Sequence, residues 1–307
     1  MTRSRGTAVV VALLLAALTA AGCGLGPGAD VGPVELTVTR EYGAVPVLRR
    51  TVEAKESDTV MRVLEGNAEV ETRFGGGYVH SIDGVAEGER DGDPYDWFFY
   101  MDGQESPVGA ASVDLEGGES VWWDYRDWSA TNHVPAVVGQ WPAPFLDADG
   151  TQPHPVVVAC AGGSADACEA TREALALEGV KPGKGSPKGA IRVLVGTWDE
   201  LRRDGTARLL EDGPSESGVF ADFEATGDGY EVVALDEDGE RVRRLGMGAG
   251  LVAATSRYGG SPVWLVTGGT PEAVRDAADL LDEARLRDAY AVAIVDGAET
   301  PLPVEAG

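Results

Sequence analysis

From Val34 the chain alternates between apolar and polar residues. VELTVTREYG and VPVLRRTVEA place an apolar side chain at every second position, the period of a half-buried strand, and break around Gly43-Ala44, which predicts a hairpin. The period then changes. Val60, Met61, Val63 and Leu64 form one apolar side, preceded by the capping run Ser57-Asp58-Thr59 and stopped by Gly66-Asn67, so a short helix is predicted there. AEVETRF, YVHSIDGV, DWFFYMDG and ESVWWDY return to strand patterns, the last two joined through Asp114-Leu115-Glu116-Gly117-Gly118. Alternation along Trp97-Phe98-Phe99-Tyr100 sets Trp97 and Phe99 on one face and Phe98 and Tyr100 on the other, and Trp122 opposes Trp123. One member of each pair belongs to a core and the other faces outward.

Past Trp128 the period disappears. SATNHVPAVVGQWPAPFLDADG, with Pro135, Pro142 and Pro144, reads as an ordered strap from which Trp141 and Phe145 pack back on a domain. Near His154 a second pattern starts. VVVAC is a short apolar strand, and SADACEATREALALEG an amphipathic helix capped by Ser164 and stopped by Gly179. Lys181 to Lys188 is an exposed loop and the one basic cluster. AIRVLVGTWDELRRD is a strand and then a helix. PVWLVTGGTPEAVRDAADLL repeats that unit, with Thr270 as cap, Pro271 as first helical residue and Glu272 in the first turn. GVFADFEA and GYEVVALDEDGE between them predict a hairpin, GMGAGLVAATSRY a helix, and AYAVAIVDG a last strand. The near-repeat predicts a mixed α/β sandwich of two strand–helix–strand halves.

The N-terminus changes the expected compartment. Arg3 and Arg5 precede an apolar run from Ala8 to Ala21 that ends at Ala20-Ala21-Gly22-Cys23, too short for a comfortable membrane span. Small residues before a cysteine resemble a bacterial lipobox, which implies cleavage before Cys23 and a lipid on that cysteine; the alternative is ordinary secretory cleavage. Lipidation predicts anchoring to the extracytoplasmic face of the cell membrane. The organisation is then a signal peptide over 1–22, a Gly/Pro-rich tether over 23–33, a first domain over 34–128, the strap over 129–153, an α/β domain over 154–297 and a tail over 298–307. With 51 acidic against 25 basic residues and a net charge of −26, nucleic acid is excluded as a partner, because its phosphates are repelled. Cys160 and Cys168 are an even pair in an exported chain and predict a disulfide across CAGGSADAC.

A hairpin, one helix and further strands is the order of a β-grasp domain, which buries one helix face against one sheet face. The fold class expected is thus α+β, a β-grasp domain followed by a mixed α/β sandwich. TVMRVLEG, GGGYVHSIDGVAEGE and DWFFYMDGQESPVGAASVDLEGGESVWWDYRDW carry a more specific likeness. The cues are a Gly-Tyr strand start with Ser81-Ile82-Gly84, Trp97-x-x-Tyr100-x-x-Gly103, and a Gly-Glu-x-Val-x-Trp final strand. This segment resembles the C-terminal β-domain of transcobalamin and intrinsic factor, and more closely the bacterial domain of unknown function 4430. The resemblance implies ligand-facing loops at Tyr78 and Val79, at Trp97, and at Pro107, Val108, Gly109 and Ala110, with cobalamin or a related flat cofactor as the ligand. The vertebrate proteins complete their site with a helical barrel that has no counterpart here, and Val108 stands where the family tends to place a polar amide.

The second pattern offers little chemistry. CAGGSA, GTWDE and TGGTPE are Gly-rich helix starts that suit anions in general, but no phosphate-loop, dinucleotide, nucleophile-elbow or zinc motif is present. His133, beside the aromatic cluster, reads as a structural polar residue. Asp236-Glu237-Asp238-Gly239-Glu240 reads as an acidic hairpin turn without the ligand spacing of a calcium loop. No catalytic or metal-ligating set and no required cofactor are expected. The leading expectation is a non-enzymatic, lipid-anchored ligand-binding protein that serves an importer. The alternative is a non-catalytic surface scaffold whose aromatic face docks a partner or its own second domain. An enzyme housed in the second domain comes third.

Overall fold

The computed structural model describes residues 28–146, 152–185 and 187–306. The signal peptide, Cys23 and the tether up to residue 27 lie outside the described residues. The chain is α+β, and its first domain is a β-grasp. Strands β1 (Asp30–Arg40) and β2 (Val45–Lys55) pair antiparallel as the predicted hairpin. Helix α1 (Val60–Glu65) follows, with the Thr59 hydroxyl accepting from the Arg62 amide and Gly66 at its end. Strands β3 (Val70–Arg73), β4 (Tyr78–Ile82) and β5 (Val85–Ala86) form a small separate sheet. Strands β6 (Gly88–Arg90), β7 (Asp93–Met101), β8 (Gln104–Glu105) and β9 (Ser120–Asp127) complete the main sheet in the order β2-β1-β9-β7-β6, with β1 and β9 parallel. Strand β1 begins four residues earlier than the alternation indicates. Asp30 to Pro33 pair with Glu53 to Lys55 and leave the tether.

Each strand of this sheet has two different faces. Leu36, Val38, Trp97, Phe99, Val121, Trp123 and Tyr125 pack with Val60, Met61, Val63 and Leu64 of α1 in one core. Tyr100 and Trp122 point the other way, into a second core that also contains Val134, Val137, Phe220 and Tyr290. The outward aromatics are therefore buried, and what buries them is the rest of the chain.

In the second domain β10 (Val156–Cys160), α2 (Ala165–Leu177) and β11 (Ile191–Thr197) come first. Ser164 occupies the N-cap position of α2, but its hydroxyl makes no capping bond. The disulfide joins Cys160 at the end of β10 to Cys168 in α2, with Cα atoms 5.9 Å apart. Two one-turn helices, α3 (Trp198–Leu201) and α4 (Pro214–Ser217), lead to β12 (Ala221–Ala225), β13 (Tyr230–Leu235) and β14 (Arg241–Gly246), a three-stranded antiparallel sheet. Then come β15 (Gly250–Thr255), β16 (Val263–Gly268), α5 (Pro271–Ala278), α6 (Glu283–Leu286), β17 (Ala291–Val295) and β18 (Ala298–Leu302). The main sheet runs β10-β11-β16-β15-β17-β18, parallel among β10, β11 and β16 and antiparallel beyond.

Two expectations change here. GLVAAT is strand β15, not a helix; all six residues are buried, and a run apolar on both sides suits an interior strand covered on both faces. The last residues are not a free tail, because Ala298–Leu302 pair with β17 and close the sheet edge. Val252, Ala254, Val266 and Val292 pack against α2 and α5 on one face of the sheet. Leu251, Ala253, Leu265 and Ala293 pack toward the three-stranded sheet on the other.

Candidate functional site

Of the residues singled out for ligand contact, Tyr78 and the 107–110 loop gather at one edge of the β-grasp domain. Gly109 lies so close to Gly77 that a Cβ there would sit 2.8 Å from the Gly77 carbonyl oxygen, so the 74–78 and 107–110 loops touch. Pro107, Val108 and Gly109 are exposed, Ala110 and Val79 are buried, and Tyr78 is half-buried. Phe74, which the sequence reading passed over, is 88% exposed and packs edge-on to Tyr78 at 6.0 Å. The Tyr78 hydroxyl lies between Glu87 and Asp96 and donates its one proton to either. Burial and these two carboxylates push the phenol well above its usual range, while Glu87 is held low, first by the Tyr78 hydroxyl and also by His80 and Arg73. Trp97 is set apart. It belongs to the α1 core, and its indole N–H donates to the Val85 carbonyl at 2.9 Å.

The opposite face of the same sheet meets the second domain across a polar and aromatic seam. Trp122 donates through Nε1 to the Thr39 hydroxyl at 2.7 Å, and Thr39 donates to Asp124 Oδ1 at 2.5 Å. The Gly43 amide reaches the same oxygen at 3.2 Å, and Tyr290 of the second domain donates to Asp124 Oδ2 at 3.0 Å. Tyr100 donates to the Tyr290 oxygen at 3.2 Å. Tyr290 also meets the rings of Tyr42, Tyr100 and Trp122 edge-on or tilted at 5.0–5.6 Å. Burial pushes the Asp124 carboxyl up to about 6, against the pull of its three donors and of Arg126.

Close backbone approach defines this contact. Gly43 has φ +86°, and a Cβ there would collide with the Asp288 carbonyl; one at Gly139 would lie 2.6 Å from the Ala289 amide nitrogen. Only glycine lets the two backbones meet so closely. Arg49 bridges to Asp288 at 2.5 Å on the rim. Arg126 is fully buried, donates to the carbonyls of Asp127 and Thr131, and lies 3.8 Å over the Phe98 ring. His133 sits at the edge of the seam, with Nδ1 3.2 Å from Glu105 Oε2. Hydrogen bonding to Glu105 raises its pKa against partial burial.

Two cavities flank these features. One of about 440 Å³ opens between the domains, beside Thr37, Arg49, Ser120, Gln140, Trp141 and Arg287. The other, of about 480 Å³, brings the starts of α2 and α5 together, so CAGGSA and TGGTPE do converge. It is lined by Asp166, Glu272 and Asp276 against the single cation Arg275, which also pairs with Asp279 at 2.8 Å. That balance of charge repels an anion despite the helix N-termini.

Residues 57–127 match the family described as Domain of unknown function (DUF4430). The match runs from the cap of α1 to the end of β9, over the segments from TVMRVLEG to GGESVWWDYRDW that carry the resemblance. The β1–β2 hairpin that completes the sheet precedes it, and the second domain follows it. The chain matches no curated protein.

Proposed function

We propose that this protein is a non-catalytic scaffold, held at the extracytoplasmic face of a membrane through a lipid on Cys23. The aromatic face of its β-grasp domain docks its own second domain, and recognition falls to the loop edge formed by residues 74–78 and 107–110. The observation that carries this reading is the burial of Tyr100 and Trp122, both 0% exposed, beneath Tyr290 and its neighbours. A face already filled from within the chain is available to an outside ligand only if the domains part. The loop edge is not covered in this way, and Phe74 and Val108 there are 88% and 51% exposed. Isolated exposed apolar residues are ordinary, but two on touching loops beside a fixed tyrosine make a compact contact point.

Among the described residues no helix is long and apolar enough to cross a membrane, so attachment in this reading rests on Cys23. Metabolic labelling with palmitate, lost on Cys23→Ala, tests that part. Cleaving the chain within 129–153 tests the docking: the two fragments should co-elute on gel filtration, and fragments that separate would overturn it.

A second reading keeps a flat cofactor such as cobalamin at the same edge and an importer as recipient. It is favoured by the Phe74–Tyr78 ring pair, which presents an aromatic wall at the loops the family resemblance implies. Calorimetric titration of residues 24–307 with cobalamin and cobinamide decides it. Binding at tens of micromolar that is lost on Phe74→Ala supports the cofactor, and no heat at that concentration removes it.

A further inference from the structure

The seam ends in a group of acids that the sequence keeps far apart. Asp93 opens β7, Asp127 closes β9, and Asp238 sits in the turn between β13 and β14, inside the acidic run 236–240. One carboxylate oxygen from each lies within 4.8 Å of the other two. Oxygens bound to a common calcium ion at about 2.4 Å are separated by no more than about 5 Å, so this is ligand spacing.

Asp127 supplies the second observation. It is 1% exposed. Its Oδ1 accepts from the Ser129 amide at 2.6 Å, while its buried Oδ2 accepts from nothing among the described residues. A buried carboxylate oxygen without a donor, on a side chain within ligand distance of two further carboxylates, is costly unless a cation or a proton meets it. Glu237, half-buried, adds to the negative potential beside Asp238. Arg126 is the positive group on this side. It spends Nη1 on the carbonyls of Asp127 and Thr131 and stacks on Phe98, so it does not meet the free oxygen. The Ser129 hydroxyl lies on Asp238 Oδ1 at 3.3 Å.

We infer that Asp93, Asp127 and Asp238 form a site for a hard divalent cation of the calcium type, which clamps the end of the β-grasp sheet to the second domain. All-oxygen, all-carboxylate ligands select calcium, magnesium or manganese over zinc or copper, and an open site completed by water suits calcium best. Two ligands come from one domain and one from the other, so an ion bound here stabilises their docking and stays with the folded chain.

The test uses the full chain, stripped with a chelator and titrated with calcium chloride by calorimetry and by thermal unfolding at fixed ionic strength. Asp238 is exposed, so Asp238→Asn leaves the core intact; Asp93→Asn is a second variant, and Asp199→Asn, at an exposed position of α3, controls for general charge. Expected are one saturable calcium site with a Kd below about 1 mM, as in extracellular modules, and a Tm rise of roughly 5 °C on saturation. Asp238→Asn and Asp93→Asn should each weaken binding by about tenfold or more and remove the Tm rise, while Asp199→Asn changes neither. No saturable binding at about 1 mM calcium, or binding equally strong in both site variants, overturns the inference. Binding weakened as much by Asp199→Asn would mark a diffuse response of an acidic surface and would overturn it as well.

Discussion

Asp124 and Asp127 lie three residues apart on one strand, both buried where the two domains meet, and they are treated differently. Asp124, in the middle of the seam, accepts from Thr39, Gly43 and Tyr290, with two donors from its own domain and one from the other. Asp127, at the end, accepts one amide and keeps an oxygen without a donor. The first is a completed hydrogen-bond node that ties the domains together. The second lies within ligand distance of Asp93 and Asp238. A buried carboxylate needs partners of some kind. In the middle of the seam the protein supplies them, and at its end the inferred cation would do so. The same contrast separates the two faces of the β-grasp sheet, one packed on α1 mainly through apolar side chains and the other on the second domain through aromatic rings around buried charged groups.

Removing the aromatic contacts breaks the seam most severely. Tyr290→Ala takes out a buried ring that meets three others, and should cost about 3–5 kcal/mol in chemical unfolding of the full chain. Tyr290→Phe keeps the ring and removes one donor from Asp124; about 1–3 kcal/mol is expected. A loss as small in the alanine variant as in the phenylalanine variant would mean that the rings contribute little.

The pH dependence of Asp124 comes next. Its carboxyl is raised to about 6 from 3.8, so between those values the folded state holds the proton more tightly than the unfolded state. Its contribution to stability is fully present below about pH 4 and declines as pH rises to about 6, by about 3 kcal/mol in all. Asp124→Asn removes the titrating group. The difference in stability between wild type and variant should therefore shift in the variant's favour across that window, measured by urea unfolding at each pH. A difference independent of pH would show that Asp124 ionises normally.

His133 responds with the same sign, over a higher pH window and less strongly. Its pKa is raised by Glu105, so the pair stabilises fully below the ordinary histidine value of about 6.5 and is lost as pH rises through the raised one. The imidazole is about half exposed, so screening keeps the contribution under about 1 kcal/mol. Glu105→Gln should flatten stability over this range, although it also weakens the bond from the Val134 amide to Glu105, a loss that does not depend on pH. Phe74→Ala, on the uncovered edge, should change stability by less than about 0.5 kcal/mol; a larger cost would mean that the ring is packed and does not serve as a contact point.

Much of the first domain was legible because its periods are clean. The hairpin, the Thr59 cap and the split of Trp97 from Phe98 and of Trp122 from Trp123 follow from the two-residue repeat of a strand. What the repeat could not say was what would cover the outward rings. A signal was present, since Asp124 and Arg126 share the face of Trp122, and charges beside aromatics on one strand face point to a polar interface more than to open solvent. The small apolar run GLVAAT is ambiguous by pattern alone and becomes a strand only because β16 and β17 flank it. The charged run RVRRLG is an edge strand whose arginines pair with Asp222, Glu224 and Glu231 across the sheet, an arrangement that periodicity does not encode. The acidic turn at 236–240 was visible, but its link to Asp93 and Asp127 was not, because that contact exists only once the domains have docked.

The central claim is that the aromatic face of the β-grasp domain is committed to its own second domain, so the two unfold together. Differential scanning calorimetry of the full chain tests it directly. One transition is expected in wild type, with calorimetric and van't Hoff enthalpies equal, that splits or broadens in Tyr290→Ala. Two resolved transitions in wild type, neither of them moved by Tyr290→Ala, would contradict it.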